Sequence, residues 1–571
     1  MTDDRTDGNP PSRRRYLGLL GATAASLAGC AALSGADEET RTPTGTPETG
    51  TPTETPQATP EPTRRGIKFD RVVDAVTDLG LDPSGERAVD RELQRTLAVA
   101  GTLVVFPPGS YRFSETVTVN TERVGILGEG DVRFVPDTGF DSLLFDGPME
   151  SLDDVLVENV DVDIRAPNTT TGIRLRCQNR FHVEDVEILG RGTNDSPGGT
   201  TSAFLFAIRN ADGTGVVRNA VAKKGSRVDG YAGGNGRIGV WVGWSNKGTV
   251  RIEGCDFREF GNNGIYASRT PGQVEIVDCY FLNNNVAGAR IGGDGSYVEN
   301  CTVEIDFEKY AGPLADAPTA LNTRGLLVEQ GLATPGPPLP AGAEIRGCRL
   351  VARRSPRIQA VIEQAPQARS LRVRDTEITC DVDGTPAVRR GPPGAISYRP
   401  DRQRPPRPYW TRLRNVTIGG NAAGGAAVDL RLAPGSAVVD CEITARGAGR
   451  DGVVLAHAPA SDILDSDVET TGHPVVVIVD PTTSPDDRLL CLDTGTALDR
   501  LGDDAADELT TDPPLFQTLS RNSGTDTVCL GLAPDVSTLP LLDDVVGPLR
   551  IGIEALADGV PLGRLLNGTD Q

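Results

Sequence analysis

One hexapeptide recurs along this chain: aliphatic, any residue, Asn/Asp/Gly, small or Val, any residue, apolar. It reads VENVDV at Val157, VEDVEI at Val183, VRNAVA at Val217, IEGCDF at Ile252, IVDCYF at Ile276 and VENCTV at Val298. It continues as IRGCRL at Ile345, VRDTEI at Val373, LRNVTI at Leu413, VVDCEI at Val438 and ILDSDV at Ile463. The third position constrains the fold, because Asn, Asp and Gly enter the left-handed backbone region at least steric cost. The hexapeptide therefore predicts two short strands joined by a one-residue bend, with apolar side chains pointing inward. Asn159, Asp185, Asn219, Asp278, Asn300, Asp375, Asn415, Asp440 and Asp465 should then form one longitudinal row. Most copies follow one another by about 22 to 35 residues, the spacing of a solenoid repeat with loop insertions. The longest step, 47 residues from Cys301 to Cys348, reads as two units with one coil disguised.

A second signal stands about a dozen residues before most copies: TGIRLR at Thr171, IGVWVG at Ile238, NGIYAS at Asn263, AGARIG at Ala287, RGLLVE at Arg324, AAVDLR at Ala426 and DGVVLA at Asp451. It supplies a further strand per coil, and coils so built stack about 4.8 Å apart into parallel sheets. The expectation is an all-β parallel β-helix of about 11–12 coils over residues 66–482, with 483–571 as a C-terminal cap or extension. Separate β-sandwich domains would instead require hairpin turns. Ahead of the repeats, Glu86–Ala100 places Val89, Leu93 and Leu97 on one helical face. The segment TLVVFPPGSYRFSETVTV, Thr102–Val119, follows it. Helix, strand, Pro-Pro-Gly turn and alternating strand resemble the opening of pectate-lyase-superfamily β-helices. That resemblance implies a right-handed solenoid with the helix covering its first coil, whose sheet edge and core are otherwise open.

Composition narrows the partners. The net charge is −22 with a pI near 4.7, and lysine occurs five times against a large excess of arginine. Such a surface disfavours nucleic acid and resembles haloarchaeal proteins, which stay solvated in concentrated salt through acidic charge. Ser12-Arg13-Arg14-Arg15-Tyr16-Leu17 precedes a short apolar run and resembles a twin-arginine export signal. Leu27-Ala28-Gly29-Cys30 resembles a lipobox, which makes Cys30 the lipidated residue after removal of 1–30. Residues 31–65, rich in Thr, Pro, Glu, Gly and Ala, cannot bury enough apolar surface to fold and read as a disordered tether. The expectation is a lipoprotein on the outer face of the cell membrane.

In relatives of this fold, polysaccharide sites lie along one outer sheet. The outward positions of the second signal are Arg174 and Arg176, then Trp241, Tyr266 and Arg290, then Glu329, with Asp429 and Arg431 further on and Trp244 just past its strand. Aromatic faces stack on sugars and arginine forks hold uronate carboxylates. Two loops, Lys223–Arg237 and Asp306–Arg324, flank this column. They bring Lys223, Lys224, Asp229, Tyr231, Asp306, Glu308, Lys309 and Tyr310 within reach of a cleft. Hydrolysis needs two carboxylates, for which Asp229 with Asp306 or Glu308 is the candidate pair. Elimination needs cations to neutralise a uronate, for which Lys309 and Arg290 are candidates. The polygalacturonase-like Asn-Thr-Asp with Gly-His-Gly and the His-bearing strand of the main pectate lyases are absent. The functional expectation is binding, with or without lyase or hydrolase cleavage, of an acidic polysaccharide or cell-surface glycan; the alternative is a non-catalytic adhesin. No Cys/His metal spacing exists, and Ca²⁺ is the sole cofactor candidate. Cys255, Cys279, Cys301, Cys348 and Cys441 share the fourth hexapeptide position and read as core thiols, while Cys491 and Cys529 are the better disulfide pair.

Overall fold

The computed structural model describes residues 62–148, 152–193, 202–230, 236–292, 295–314, 321–329, 342–392, 407–479, 489–493, 516–521, 527–532 and 551–555. Tyr231, Cys30 and the export motifs lie outside the described residues. From Thr63 onward the chain winds into a right-handed parallel β-helix with three strand ladders. Two ladders come from the halves of the hexapeptide, as in the pairing of Val157 with Val183, Val217, Ile252 and Ile276 in turn. The third is a 14-stranded parallel sheet built from the second signal.

The bend row is present. Asn159, Asp185, Asn219, Asp278, Asn300, Asp375, Asn415, Asp440 and Asp465 all have φ between 48 and 58°, and Gly254 and Gly347 fill the same place at 64 and 61°. Neighbouring members also bond: Asn219 Nδ2 donates to Asp185 Oδ1 at 3.1 Å and Asn415 Nδ2 to Asp375 Oδ1 at 2.8 Å. The fourth position has its own logic. The Sγ of Cys255, Cys279, Cys301, Cys348 and Cys441 lies 3.2 to 3.4 Å from the carbonyl two residues earlier, just before the bend. Ser466 and Thr376 make the same contact through hydroxyls at 2.8 Å. A small buried donor thus adds a second bond to carbonyls that already accept an N–H from the bend of the preceding coil, as the Glu299 carbonyl does from Asp278 and the Arg346 carbonyl from Asn300, both at 3.0 Å. All five cysteines are free and buried, as expected.

Two expectations change. The 47-residue step is one coil and not two, because Tyr297–Glu299 pairs directly with Ala343–Arg346 and Thr302–Asp306 with Arg349–Arg354. Among the described residues this coil carries the single third-sheet strand Thr323–Val328. Ahead of the first hexapeptide, Arg71–Asp74, Thr102–Phe106 and Glu122–Gly128 pair in order. The segment expected as a tether to residue 65 already holds a strand at Thr63–Arg64, which pairs with Ile67–Lys68. There Arg64 and Arg65 reach the buried Glu158 at 2.7 and 2.8 Å, and Arg65 reaches Glu184 at 2.9 Å. The helix spans Asp90–Leu97, with Val89, Leu93 and Leu97 buried. Its Gln94 amide acts as a further strand: Nε2 donates to the Thr118 carbonyl and Oε1 accepts from the Thr118 N–H, both at 2.6 Å. This satisfies the edge strand Val117–Thr118 of the third sheet. At the other end, Leu489–Asp493 pairs antiparallel with Thr527–Leu532, setting Cys491 opposite Cys529.

Candidate functional site

The strand register places Asp146, Arg174, Leu205, Trp241, Tyr266, Arg290, Leu327 and Glu363 in one column along the third sheet. Glycine at the start of these strands lets the coils approach: a Cβ at Gly239 would lie 2.3 Å from the Gly264 carbonyl, and one at Gly264 2.5 Å from that of Gly288. Trp241, Tyr266 and Arg290 therefore stack, as expected from their alternation.

Their mutual geometry decides what they offer to a ligand. Trp241 and Tyr266 lie with ring centroids 6.5 Å apart at 18°, and the Arg290 guanidinium sits over the Tyr266 ring at 4.6 Å, with Arg269 at 5.7 Å. The faces of Tyr266 are thus occupied by protein groups. Trp244 is different. It is 47% exposed and stands at 78° to Trp241, centroids 6.2 Å apart, so the column supports it edge-on. Trp244 follows the strand Ile238–Val242 in a turn closed by the Asn246 N–H donating to the Gly243 carbonyl at 3.0 Å.

Glu329 follows two residues beyond Leu327 on the same side of the sheet and is 1% exposed. It is ion-paired to Arg290 and accepts from Ser268 Oγ at 3.1 Å and from Gln367 Nε2. It positions Arg290 and offers little surface to a ligand. Four carboxylates of this face hold arginines: Asp146 with Arg174 through two 2.6 Å bonds, Glu329 with Arg290, Glu363 with Arg324, and Asp429 with Arg431 at 2.9 Å.

Arg176 has another environment. It is half-buried, two residues beyond Arg174 on the same strand, and its Nε has no partner. Burial, then the nearby Arg174 and Arg209 charges, pull its guanidinium below the usual arginine value, against an opposing pull from Asp146.

The flanking loops meet each other. Tyr310 Oη accepts from the Val228 N–H at 3.2 Å and donates to the Pro313 carbonyl at 3.2 Å. Arg191 lies 5.6 Å from the Tyr310 ring and pairs with the buried Glu259, which also accepts from the Ala311 N–H at 2.9 Å. A groove of about 420 Å³ opens beside this contact, lined in part by Arg165, Asn168, Arg191, Thr193 and Lys224. The candidate catalytic groups are each engaged: Asp229 by Arg227, Glu308 by Arg354 and Lys309 by Glu304. Asp306 is buried and caps the short helix Phe307–Lys309, accepting from the Glu308 N–H at 3.3 Å. No pattern in the chain marks Glu259, a buried glutamate at φ 58° whose partner Arg191 lies 68 residues earlier. Among the described residues no group of three His, Cys, Asp or Glu side chains is arranged to hold a metal ion, and no helix is long and apolar enough to cross a membrane.

No family model matches the chain, and no curated protein matches it. Among solved structures, the chain is similar to the surface protein and adhesin PfbA of Streptococcus pneumoniae (13% identity, TM-score 0.39, covering 71% of this chain and 100% of that one). It is also similar to the A-module of the mannuronan C-5 epimerase AlgE6 of Azotobacter vinelandii (13%, TM-score 0.38, 70% and 99%). A third is ORF18 of Geobacillus virus E2 (13%, TM-score 0.38, 56% and 60%), of whose length the chain spans less than two thirds.

Proposed function

We propose that the third-sheet face around Trp244 binds an acidic polysaccharide outside the cell, on a protein exported by the twin-arginine route and held to the membrane by lipid at Cys30. The observation that carries this reading is Trp244, an exposed indole braced by a Trp241–Tyr266–Arg290 ladder whose Arg290 is ion-paired to the buried Glu329. Solvent-facing tryptophan on a rigid sheet suits a sugar ring, which presents an apolar C–H face and a hydroxylated rim. The engagement of Asp229 and of Asp306 in ion pairing and helix capping favours binding without cleavage. Retention of the purified protein on immobilised charged polysaccharides in high salt, with product release monitored in parallel, tests this. Retention without new reducing ends or unsaturated products supports the reading; passage through every matrix contradicts it. Membrane partition of Cys30→Ser tests the anchor, and partition equal to wild type contradicts it.

A further inference from the structure

We infer that Arg372 and Arg412, side by side on the outer face of the ladder formed by the first half of the hexapeptide, bind a carboxylate or sulfate of an acidic polysaccharide. The polysaccharide as occupant rests on the glycan-binding reading, whereas the anion follows from the geometry of this second sheet. Earlier coils of the ladder alternate in charge on their outer face. Arg251 holds Glu253 and Glu275, each at 2.9 Å, and Arg346 holds Glu299 at 2.9 Å and Glu344 at 3.1 Å. In the next two coils the register instead sets Arg372 beside Arg412 and Arg374 beside Arg414, and all four are exposed. Like charges on facing positions of neighbouring strands destabilise the pairing.

Half of this grid is relieved by the protein itself. Arg374 pairs with Glu344 at 2.5 Å and Asp375 at 3.0 Å, and Arg414 with Asp440 at 3.3 Å. Arg372 and Arg412 have no carboxylate partner among the described residues, although the protein carries 79 acidic residues against 57 basic ones. Trp410 holds them instead: their guanidinium carbons lie 5.1 and 4.5 Å from its ring centroid. The Trp410 backbone is fixed in turn, its carbonyl accepting from the Leu371 N–H at 3.1 Å. Neighbouring strands lie about 4.8 Å apart, so one carboxylate or sulfate can accept from both guanidinia in charge-assisted bonds. In the following coil Arg412 faces only the small Ala437. Charge complementarity thus selects an anion, and a flat, exposed sheet admits an extended polymer. Nucleic acid fits less well, because its binding grows with the number of phosphates neutralised, and two carboxylate-free arginines on a chain of net charge −22 neutralise few.

Paired ligands test the assignment: oligogalacturonate against its methyl ester, and dextran sulfate against dextran, titrated in high salt by calorimetry, with duplex DNA as a further probe. Wild-type protein is expected to prefer the charged member of at least one pair about tenfold, equivalent to about 1.4 kcal/mol; the pair concerned identifies the anion as carboxylate or sulfate. Arg372→Gln with Arg412→Gln should abolish the preference, leave the neutral member's affinity unchanged and not lower the thermal midpoint. Arg91→Gln with Arg95→Gln removes the same charge from exposed residues of the capping helix and should keep the preference. Absence of charge preference in wild type, its persistence in the Arg372/Arg412 variant, its equal loss in the Arg91/Arg95 variant, or tighter binding of DNA than of either charged polysaccharide overturns the inference. Trp244→Ala separates the two sites, since it should weaken charged and neutral members equally. Loss of preference in the Arg372/Arg412 variant with undiminished binding in Trp244→Ala upholds the anion site and overturns the aromatic platform.

Discussion

Asp278→Val probes the geometry that repeats in every coil. Asp278 is exposed and holds φ at 53°, and its N–H donates to the Glu299 carbonyl at 3.0 Å, a bond that any residue here retains. The substitution therefore removes no buried contact and isolates the backbone cost. Left-handed backbone costs an ordinary L-residue about 1–2 kcal/mol, aspartate less, and a β-branched residue is the worst case. Asp278→Val should lose about 1–2 kcal/mol, whereas Asp278→Gly should stay within about 0.5 kcal/mol of wild type. Thr417→Val, at an exposed strand position of the same solenoid, should be neutral or stabilising because β-branched side chains suit a pleated surface. Urea denaturation compared at equal slope measures all three. The reasoning fails if Asp278→Val is as mild as Thr417→Val, or if Asp278→Gly is as damaging as Asp278→Val.

Gln94→Ala strips the edge strand of two hydrogen bonds and should cost about 2 kcal/mol at about 1 kcal/mol each, read from the same denaturation curves. The seven buried free thiols among the described residues should resist iodoacetamide at pH 8 in the native protein and react after denaturation, since burial holds Cys441 at about 11 and raises Cys177 also; rapid native labelling of Cys441 contradicts the core placement. Glu253 and Glu299, depressed first by their hydrogen bonds to Arg251 and Arg346, contribute stability above the ordinary glutamate value near 4.5. That contribution is lost as pH falls through their lower folded values, so the thermal midpoint should drop in this acid range, and Glu253→Gln with Glu299→Gln should flatten the drop.

What the chain disclosed beforehand follows from where each constraint resides. The bend row was legible because handedness restricts one position to Asn, Asp or Gly in all eleven copies. The first coils lie outside that row and were legible only by the Pro107-Pro108 turn of their opening strands; their other corner, the Glu129-Gly130-Asp131 turn with Gly130 at φ 78°, carries no repeat signal. Loop length at Cys301–Cys348 imitates a missing coil, since spacing alone does not distinguish an insertion from a repeat. The Trp241–Tyr266–Arg290 column was legible from strand alternation. Which ring faces outward was not, because that depends on Arg290 covering Tyr266 and on a turn that lifts Trp244 clear. The carboxylate partners were equally hidden, as ion pairs such as Arg191–Glu259 and Arg290–Glu329 join coils distant in sequence.

The most direct test of the account is Trp244→Ala measured for glycan affinity and thermal unfolding together. Trp244 is 47% exposed, so its truncation opens no core cavity, while a stacked aromatic contributes about 0.5–1.5 kcal/mol to a ring laid on it. The account predicts an unchanged midpoint and a dissociation constant raised roughly two- to thirteenfold, since 1.4 kcal/mol is tenfold. A lowered midpoint would make Trp244 a packing residue, and undiminished affinity in a stable variant would place the glycan elsewhere on the protein; either result contradicts the account.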